Sequence, residues 1–342
     1  MFRSFLFLGF IGVWASLISV SFDSGKDEFG HLLTAPKGFP EIPFPEGNGF
    51  SDARYLLGRK LFYDPIMSVD SSISCASCHL AQFAFSDTIA MSLGAAKALG
   101  TRNAPTLTNV AYNTSFTRDG GVPTLEMQVL VPIQEHNEFD FNILLIADRM
   151  SKDSTYVNMS REAYNKGPDH FVITRALGCF ERTIISGNSP FDQFHFQEKK
   201  DALNETERKG MDLFFSERIG CSNCHAGFNF TDYSFKNNGL HVAYQDSGRK
   251  RLTDLEIDRG VFKVPTLRNI GLTSPYMHDG SLKTLEQVVE HYSAGGKPHK
   301  NKSELIKPLD LRGQEKEQLV AFLNSLTDTE FVNKTEYKPE GY

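Results

Sequence analysis

Indole is almost missing from this 342-residue sequence: the single tryptophan, Trp14, sits in an N-terminal apolar run and leaves the remainder with none. Cysteine is scarce, five in all, and four of the five fall in two short clusters. Neither sign of charge dominates, since 36 Lys+Arg against 42 Asp+Glu leave a net charge of −6, which gives no reason to expect nucleic-acid binding. No apolar run reaches the 18 or so residues of a membrane-spanning helix; the longest, Phe5 to Val20, falls short. No cysteine follows that run, which argues against a lipid-anchored protein. Nor does any segment alternate convincingly as a strand would.

What is present is a soluble globular composition, 40% hydrophobic and 23% charged, long enough for two domains. Arg3, the apolar run and the small residues Ser19 and Ser21 read as a signal peptide over residues 1–21, with an uncleaved anchor as the alternative. Residues 22–48, with Pro36, Pro40, Pro43 and Pro45, read as an extended lead-in. Beyond it the pattern is helical. Ser51 caps a helix toward Phe62, Asn204 with Glu207 and Thr284 with Gln287 form capping boxes, and Val172 to Ile185 and Gln314 to Leu326 have helical spacing. The expected class is all-α.

The chain also repeats itself. Gly58-Arg59-Lys60-Leu61-Phe62 precedes Cys75-Ala76-Ser77-Cys78-His79, and Gly210-Met211-Asp212-Leu213-Phe214 precedes Cys221-Ser222-Asn223-Cys224-His225. Downstream, Pro105-Thr106-Leu107-Thr108-Asn109 matches Pro265-Thr266-Leu267-Arg268-Asn269, and Thr124-Leu125-Glu126 matches Thr284-Leu285-Glu286 at the same offset. Two copies of one unit are therefore expected, in tandem domains over 49–195 and 196–342. In each Cys-x-x-Cys-His motif two thiols attach haem covalently and the histidine, His79 or His225, ligates its iron. Random placement of 5 Cys and 10 His would produce roughly 0.002 such motifs, so two are not accidental. Zinc is the competing reading, but zinc ribbons place their cysteine pairs much closer together and do not require the adjacent His. Cys179, in an apolar run, reads as a small core residue.

With both motifs placed, the chain resembles the bacterial di-haem cytochrome c peroxidases and their relative that matures the tryptophan-derived quinone of methylamine dehydrogenase. The strings Arg102-Asn103-Ala104-Pro105-Thr106 and Leu272-Thr273-Ser274-Pro275-Tyr276-Met277-His278-Asp279-Gly280 carry the resemblance, which spans about residues 50 to 326. It implies two cytochrome c-like domains, a peroxide-binding haem in the first and an electron-relay haem in the second. It also implies Gln128 and Glu138 as the distal pair over the peroxide-binding haem, with Glu135 the alternative carboxylate, and a calcium ion at Asn103, Thr273 and Pro275. Three positions depart from the family. Ala95 stands where many members have a ligating His, Tyr292 where the peroxidases have a Met ligand, and Arg118 where a Trp usually lies between the haems. Tyr292 resembles the tyrosine ligand of the quinone-maturing relative; Met277, His278, His291 and His299 are the other candidates. Arg102, Arg259 and Arg268 are candidates for neutralising haem propionates.

The resemblance implies reduction of hydrogen peroxide in the periplasm with electrons from a small cytochrome c or copper protein. Peroxide-driven oxidation of an organic or protein substrate is the second enzyme reading, and a non-catalytic di-haem electron carrier is a third. The sequence leaves the oligomeric state open, a homodimer included. Two covalent haems per chain are expected: the pigment should resist extraction into acidic organic solvent. Replacing both Cys221 and Cys224 with Ser should leave one haem per polypeptide, measured by pyridine haemochrome against protein mass.

Overall fold

The computed structural model describes residues 28–339; the expected signal peptide and Trp14 lie outside the described residues. No described helix is long and apolar enough to cross a membrane. The helices are α1 (Asp52–Tyr63), α2 (Leu125–Gln128), α3 (Leu130–Gln134), α4 (Ile143–Ser151), α5 (Ser154–Tyr164), α6 (His170–Arg182), α7 (Pro190–His195), α8 (Glu205–Phe215), α9 (Lys250–Thr253), α10 (Leu285–Ser293) and α11 (Gly313–Asn324). Most of the longer ones begin where the sequence supplies an acceptor for the unpaired first-turn amides. The Ser51 hydroxyl accepts from the Arg54 amide, Asp169 from the Val172 amide, and Asn204 and Glu207 cap α8 reciprocally. Thr284 accepts from the Gln287 amide, but the Gln287 side chain turns to the Lys283 amide, so only half of that capping box forms.

The same crossing occurs twice. In α1, a Cβ on Gly58 would fall 2.0 Å from the Ala176 carbonyl oxygen of α6; in α8, a Cβ on Gly210 would fall 1.9 Å from the Gln318 carbonyl oxygen of α11. Glycine is needed because backbone meets backbone at the contact. One turn on, Phe62 lies 5.1 Å from Phe180 and Phe214 lies 5.1 Å from Phe322, ring centre to ring centre. Each crossing anchors a core. The first gathers Leu57, Leu61, Phe62, Ile146, Ile173 and Phe180; the second gathers Phe191, Phe214, Phe230, Leu319, Phe322 and Leu326.

These cores do not divide the chain at one point. Phe191 of α7 packs in the second core, whereas Phe331 and Tyr337, near the C-terminus, return to the first. The proline-rich lead-in touches both: Leu32 joins the first core, and the Phe39 ring lies 4.7 Å from Phe228 beside the second. The seam is polar. Asn109 and Asn269, the last residues of the repeated Pro-Thr-Leu-x-Asn strings, are both left-handed (φ 57° and 58°) and fully buried. Asn109 exchanges two hydrogen bonds with the Ser186 backbone, and Asn269 reaches the Ser186 hydroxyl and the Asp328 amide.

One expectation needs correcting. The fold is mostly helical but not all-α: β1 (Phe235–Lys236) pairs antiparallel with β2 (Phe262–Lys263). Two residues per strand are too short to produce a period-two signal. The pair is held by tertiary contacts, with the Arg249 guanidinium 4.0 Å over the Phe235 ring.

The crossing glycines make a paired prediction. Gly210→Ala forces apart α8 and α11 and should cost about 1–3 kcal/mol. Gly313, at the start of α11, has nothing within 4 Å of an added Cβ, so Gly313→Ala should stabilise by about 0.5–1 kcal/mol. Denaturation midpoints of the haem-loaded variants should move in opposite directions.

Candidate active site

Each haem motif begins as one 3₁₀ turn, Cys75–Ser77 and Cys221–Asn223, which closes with the histidine amide donating to the first cysteine's carbonyl. All four motif cysteines are half-buried and none is in a disulfide. His79 Nδ1 lies 2.9 Å from the Phe85 carbonyl oxygen, and His225 Nδ1 lies 3.1 Å from that of Phe230. A carbonyl only accepts, so both rings carry their proton on Nδ1 and keep a lone pair on Nε2, the form that ligates iron. Desolvation lowers both imidazole pKa values, which favours the neutral ring. Paired thiols, a pinned imidazole and a presented Nε2 fit covalent haem at both places.

The accepting carbonyls are set by unusual backbone. Ala84 and Phe85 are both left-handed, as is Phe230, and the Thr106 and Thr266 hydroxyls clamp the carbonyls of Ala84 and Asn229 just before them. The repeated Pro-Thr-Leu string therefore serves the ligand loop.

Of the two expected distal residues, Glu138 interacts electrostatically with the first motif. Glu138 remains open to solvent, yet enough protein surrounds it that desolvation, helped by Glu135, lifts its pKa to about 7. Its charge is felt at both Cys75 and Cys78, which places the carboxyl beside the first motif. Gln128 Oε1 is buried with no hydrogen-bond partner among the described residues. Ala95 is buried, and its amide donates to the Glu138 carbonyl at 2.7 Å. A Cβ on the neighbouring Gly94 would meet the Asn137 carbonyl oxygen at 2.2 Å. That loop thus anchors the Glu138 backbone instead of offering a ligand. Glu181, which the sequence reading passed over as part of a helix, is a buried carboxyl raised to about 8 by desolvation and felt at Cys75.

Beside the second motif, the Tyr292 hydroxyl accepts from Asn238 Nδ2 at 3.3 Å, and its charge couples to Cys224 and Cys221. The same Asn238 amide donates to Met277 Sδ at 3.3 Å, so Tyr292 and Met277 converge on one residue. The histidine alternatives are engaged elsewhere. His291 Nε2 donates to the Asn238 carbonyl, His299 Nδ1 accepts from the Asn301 amide, and His278 stacks on Phe262 at 4.0 Å. His241 was not anticipated; with His278 and Asp279 it forms a cluster of metal-ligand type, in which its Nε2 lies 2.7 Å from Asp279.

The arginines assigned to propionates are otherwise committed. Arg102 pairs with Asp119 and Asp246, Arg259 with Glu256, and the fully buried Arg268 with Asp192. Arg118 and Lys263 are half-buried cations with no ion pair among the described residues, better placed to meet a carboxylate group.

At the expected calcium position a side-chain cation already holds the Asn103 oxygens. Asn103 is 3% exposed, and its Oδ1 accepts from Arg118 Nη2 at 2.9 Å while its backbone carbonyl accepts from Arg118 Nε at 2.9 Å. The Thr273 hydroxyl faces its own turn, toward the Ile270 carbonyl. Like charges about 4 Å apart near a protein surface repel by about 4 kcal/mol, and a divalent ion doubles that.

The di-haem cytochrome c peroxidase family matches residues 52–201. The methylamine utilization protein MauG of Methylorubrum extorquens is 34% identical over 310 residues, covering 89% of this chain and 86% of that protein. Cytochrome c551 peroxidase of Nitrosomonas europaea is 36% identical over 280 residues, 79% of each chain. A solved MauG-like protein associated with microbial copper homeostasis is similar with a TM-score of 0.85 at 32% identity, over 90% of this chain and 99% of that one. The diheme peroxidase BthA from Burkholderia thailandensis, at 19% identity and a TM-score of 0.71, shares the fold.

Tyr292 and Met277 can be told apart. If Tyr292 is the axial partner opposite His225, Tyr292→Phe should change that haem's spin state and visible spectrum, and Tyr292→Met should raise its potential, because phenolate favours the ferric state. Met277→Leu should do neither. The reverse pattern in a redox titration would assign the ligand to Met277.

Proposed function

Because this chain belongs to the di-haem cytochrome c peroxidase family, we propose that it reduces hydrogen peroxide to water at the haem of the first motif, fed with electrons through the haem of the second. The observation that carries this reading is the distal pair: a carboxyl poised near neutrality, Glu138, and an unpartnered amide oxygen, Gln128 Oε1. The donor is proposed to be a small cytochrome c or copper protein in the periplasm.

Cys75 and Cys78 would hold the first haem and His79 would ligate it from one face, leaving the other to Glu138 and Gln128. When bound, the haem supplies a redox-active iron at which the O–O bond is reduced. Overall, hydrogen peroxide, two electrons and two protons give two waters. The protein's part is the proton. Glu138, as carboxylate, takes the proton from the nearer peroxide oxygen and returns it to the departing one, which leaves as water. A pKa of about 7 suits both halves of that task, because a shuttle works best when taking and giving cost the same. Gln128 Oε1 accepts a hydrogen bond from peroxide and sets its orientation. Ala95 has no side chain that could ligate a haem at the position where many members of the family have a His.

A second reading has its own support. Tyr292 beside the second motif, with Ala95 at the first, resembles the quinone-maturing relative, and there the electrons come from an organic or protein substrate. The two readings differ in whether peroxide is consumed rapidly with a reduced small cytochrome or copper protein, or slowly until an oxidisable partner is added.

Glu138→Gln keeps the shape and removes the base. Both haems should still attach, while the stopped-flow rate with peroxide falls by about 10²–10⁴-fold. The active form is the carboxylate, so the parent rate should rise with pH through about 7. The Gln variant should show no such rise. Gln128→Ala should lose less, because the proton carrier remains. A parent rate in Glu138→Gln together with a damaged Glu135→Gln would move the role to Glu135.

A further inference from the structure

The arrangement at the expected calcium position has a positive content. The geometry points to the Arg118 guanidinium as a built-in cation that takes the place of calcium between the two halves of this chain.

Every polar group of Asn103 is committed in a way that selects a donor and excludes a metal ion. Arg118 Nε and Nη2 reach the backbone carbonyl and Oδ1 of this one residue, both at 2.9 Å, a planar fork closed on two oxygens. Asn103 Nδ2 donates to the Ile89 carbonyl at 3.3 Å, and its amide donates to the His278 carbonyl at 2.9 Å. Rotating the side-chain amide to release Oδ1 would set its NH₂ against the guanidinium and leave the Ile89 carbonyl facing an oxygen. The orientation is thus held from both sides.

Calcium needs six to eight oxygens, which carbonyls and waters supply as well as carboxylates, and the two that Asn103 could offer are held by Arg118. Asp119 is taken by Arg102 and Arg251, Asp246 by Arg102, and Asp279 by His241. Arg102 already repels Arg118, and the Asp279 and Asp246 charges that oppose this repulsion act from outside hydrogen-bond range. A divalent ion would add positive charge where one fixed cation already holds both oxygens of Asn103.

The tether also does the mechanical work of a bridging ion. Asn103 and Arg118 belong to the first repeat. The Asn103 amide is bonded to His278 and the Arg118 carbonyl accepts from the Lys263 amide at 2.7 Å, both in the second. Arg118 therefore closes a circuit of hydrogen bonds through both repeats, with no ion to lose. The same substitution removes the indole that this position usually carries in the family.

The test uses the holoenzyme with both haems. The parent protein, soaked in calcium and desalted, should carry far less than one calcium per chain by mass spectrometry. Its haem spectrum and melting midpoint should be the same in EGTA and in millimolar calcium. Arg118→Gln should melt lower than the parent in EGTA, and calcium should restore part of the loss by occupying the freed Asn103 oxygens. Stoichiometric calcium in the parent, or a spectrum that changes with EGTA, would overturn the proposal even if the variant fails to fold. A variant that melts like the parent in EGTA would also overturn it. So would one that is weakened but indifferent to calcium, since Arg118 would then be a cross-link with no relation to a metal site.

Discussion

The hydrogen bond from a proximal imidazole Nδ1 to a loop carbonyl, made by His79 to Phe85 and by His225 to Phe230, is the constraint from which much of the surrounding chain can be derived. An imidazole two bonds from the backbone is free to spin about χ2, and either nitrogen could face the iron. The carbonyl removes that freedom and fixes the tautomer. To aim a carbonyl inward the chain must reverse within about five residues of the histidine, which brings left-handed residues at Phe85 and Phe230. Such residues are strained unless their surroundings hold them. The threonine hydroxyls of the Pro-Thr-Leu strings hold them, and the asparagines that end those strings in turn build the buried seam with Ser186 and Asp328. Haem loop, clamp and seam are one connected device, present twice.

This connection explains why so much was legible in the sequence. Each part of the device needs a particular residue: two cysteines and a histidine for attachment, threonine for the clamp, asparagine where a left-handed turn meets a buried acceptor, glycine where two helices touch. Parts that demand a residue type recur as strings, and strings at one offset announce a duplication. What could not be read depends on pairings across the fold. The two-residue strands β1 and β2 exist because Phe235 and Phe262 find Arg249 and His278, partners distant in sequence. His241 gave no signal because nothing in its neighbourhood forms a motif. The exchange of Phe191, Phe331 and Tyr337 between cores follows from a lead-in and a tail that wrap both halves, which hydrophobic periodicity does not reveal. The carboxylate partners of Arg102, Arg259 and Arg268 were hidden for the same reason: charge alone does not say which carboxylate an arginine will find.

The two copies are alike on the proximal side and unlike on the distal side, and that contrast is where the chemistry is decided. A shared scaffold makes two equivalent attachment sites. At the first, Glu138 and Gln128 are the proposed proton carrier and acceptor, and the Gly94–Ala95 loop holds the Glu138 backbone through the Ala95 amide. Beside the second, Tyr292 and Met277 bring side chains that can themselves ligate, both steered by Asn238. On the proposed reading, an open face with a base nearby would suit a small oxidant, and a filled face would suit electron storage. A few side chains on a repeated frame are enough to separate the two roles, and they lie on helices and loops that the haem-binding device does not constrain.

Arg118 extends this argument from the haems to the space between them. A bound calcium ion and an aromatic relay are two separate solutions, one mechanical and one electronic, and in this chain a single guanidinium stands in the place of both. Its fork on Asn103 can supply the mechanical part, because hydrogen bonds to carbonyl oxygens need only a cation of the right shape. It cannot supply the electronic part in the same way, since a guanidinium is far harder to oxidise than an indole. Electrons passing between the haems must then tunnel over the gap in one step or use other aromatic groups nearby. The Phe262–His278 stack, 4.0 Å between ring centres and tied to Asn103 through the His278 carbonyl, is one such group. On that reading, replacing the relay while keeping the frame would change how fast the two haems communicate without changing the residues that would hold them.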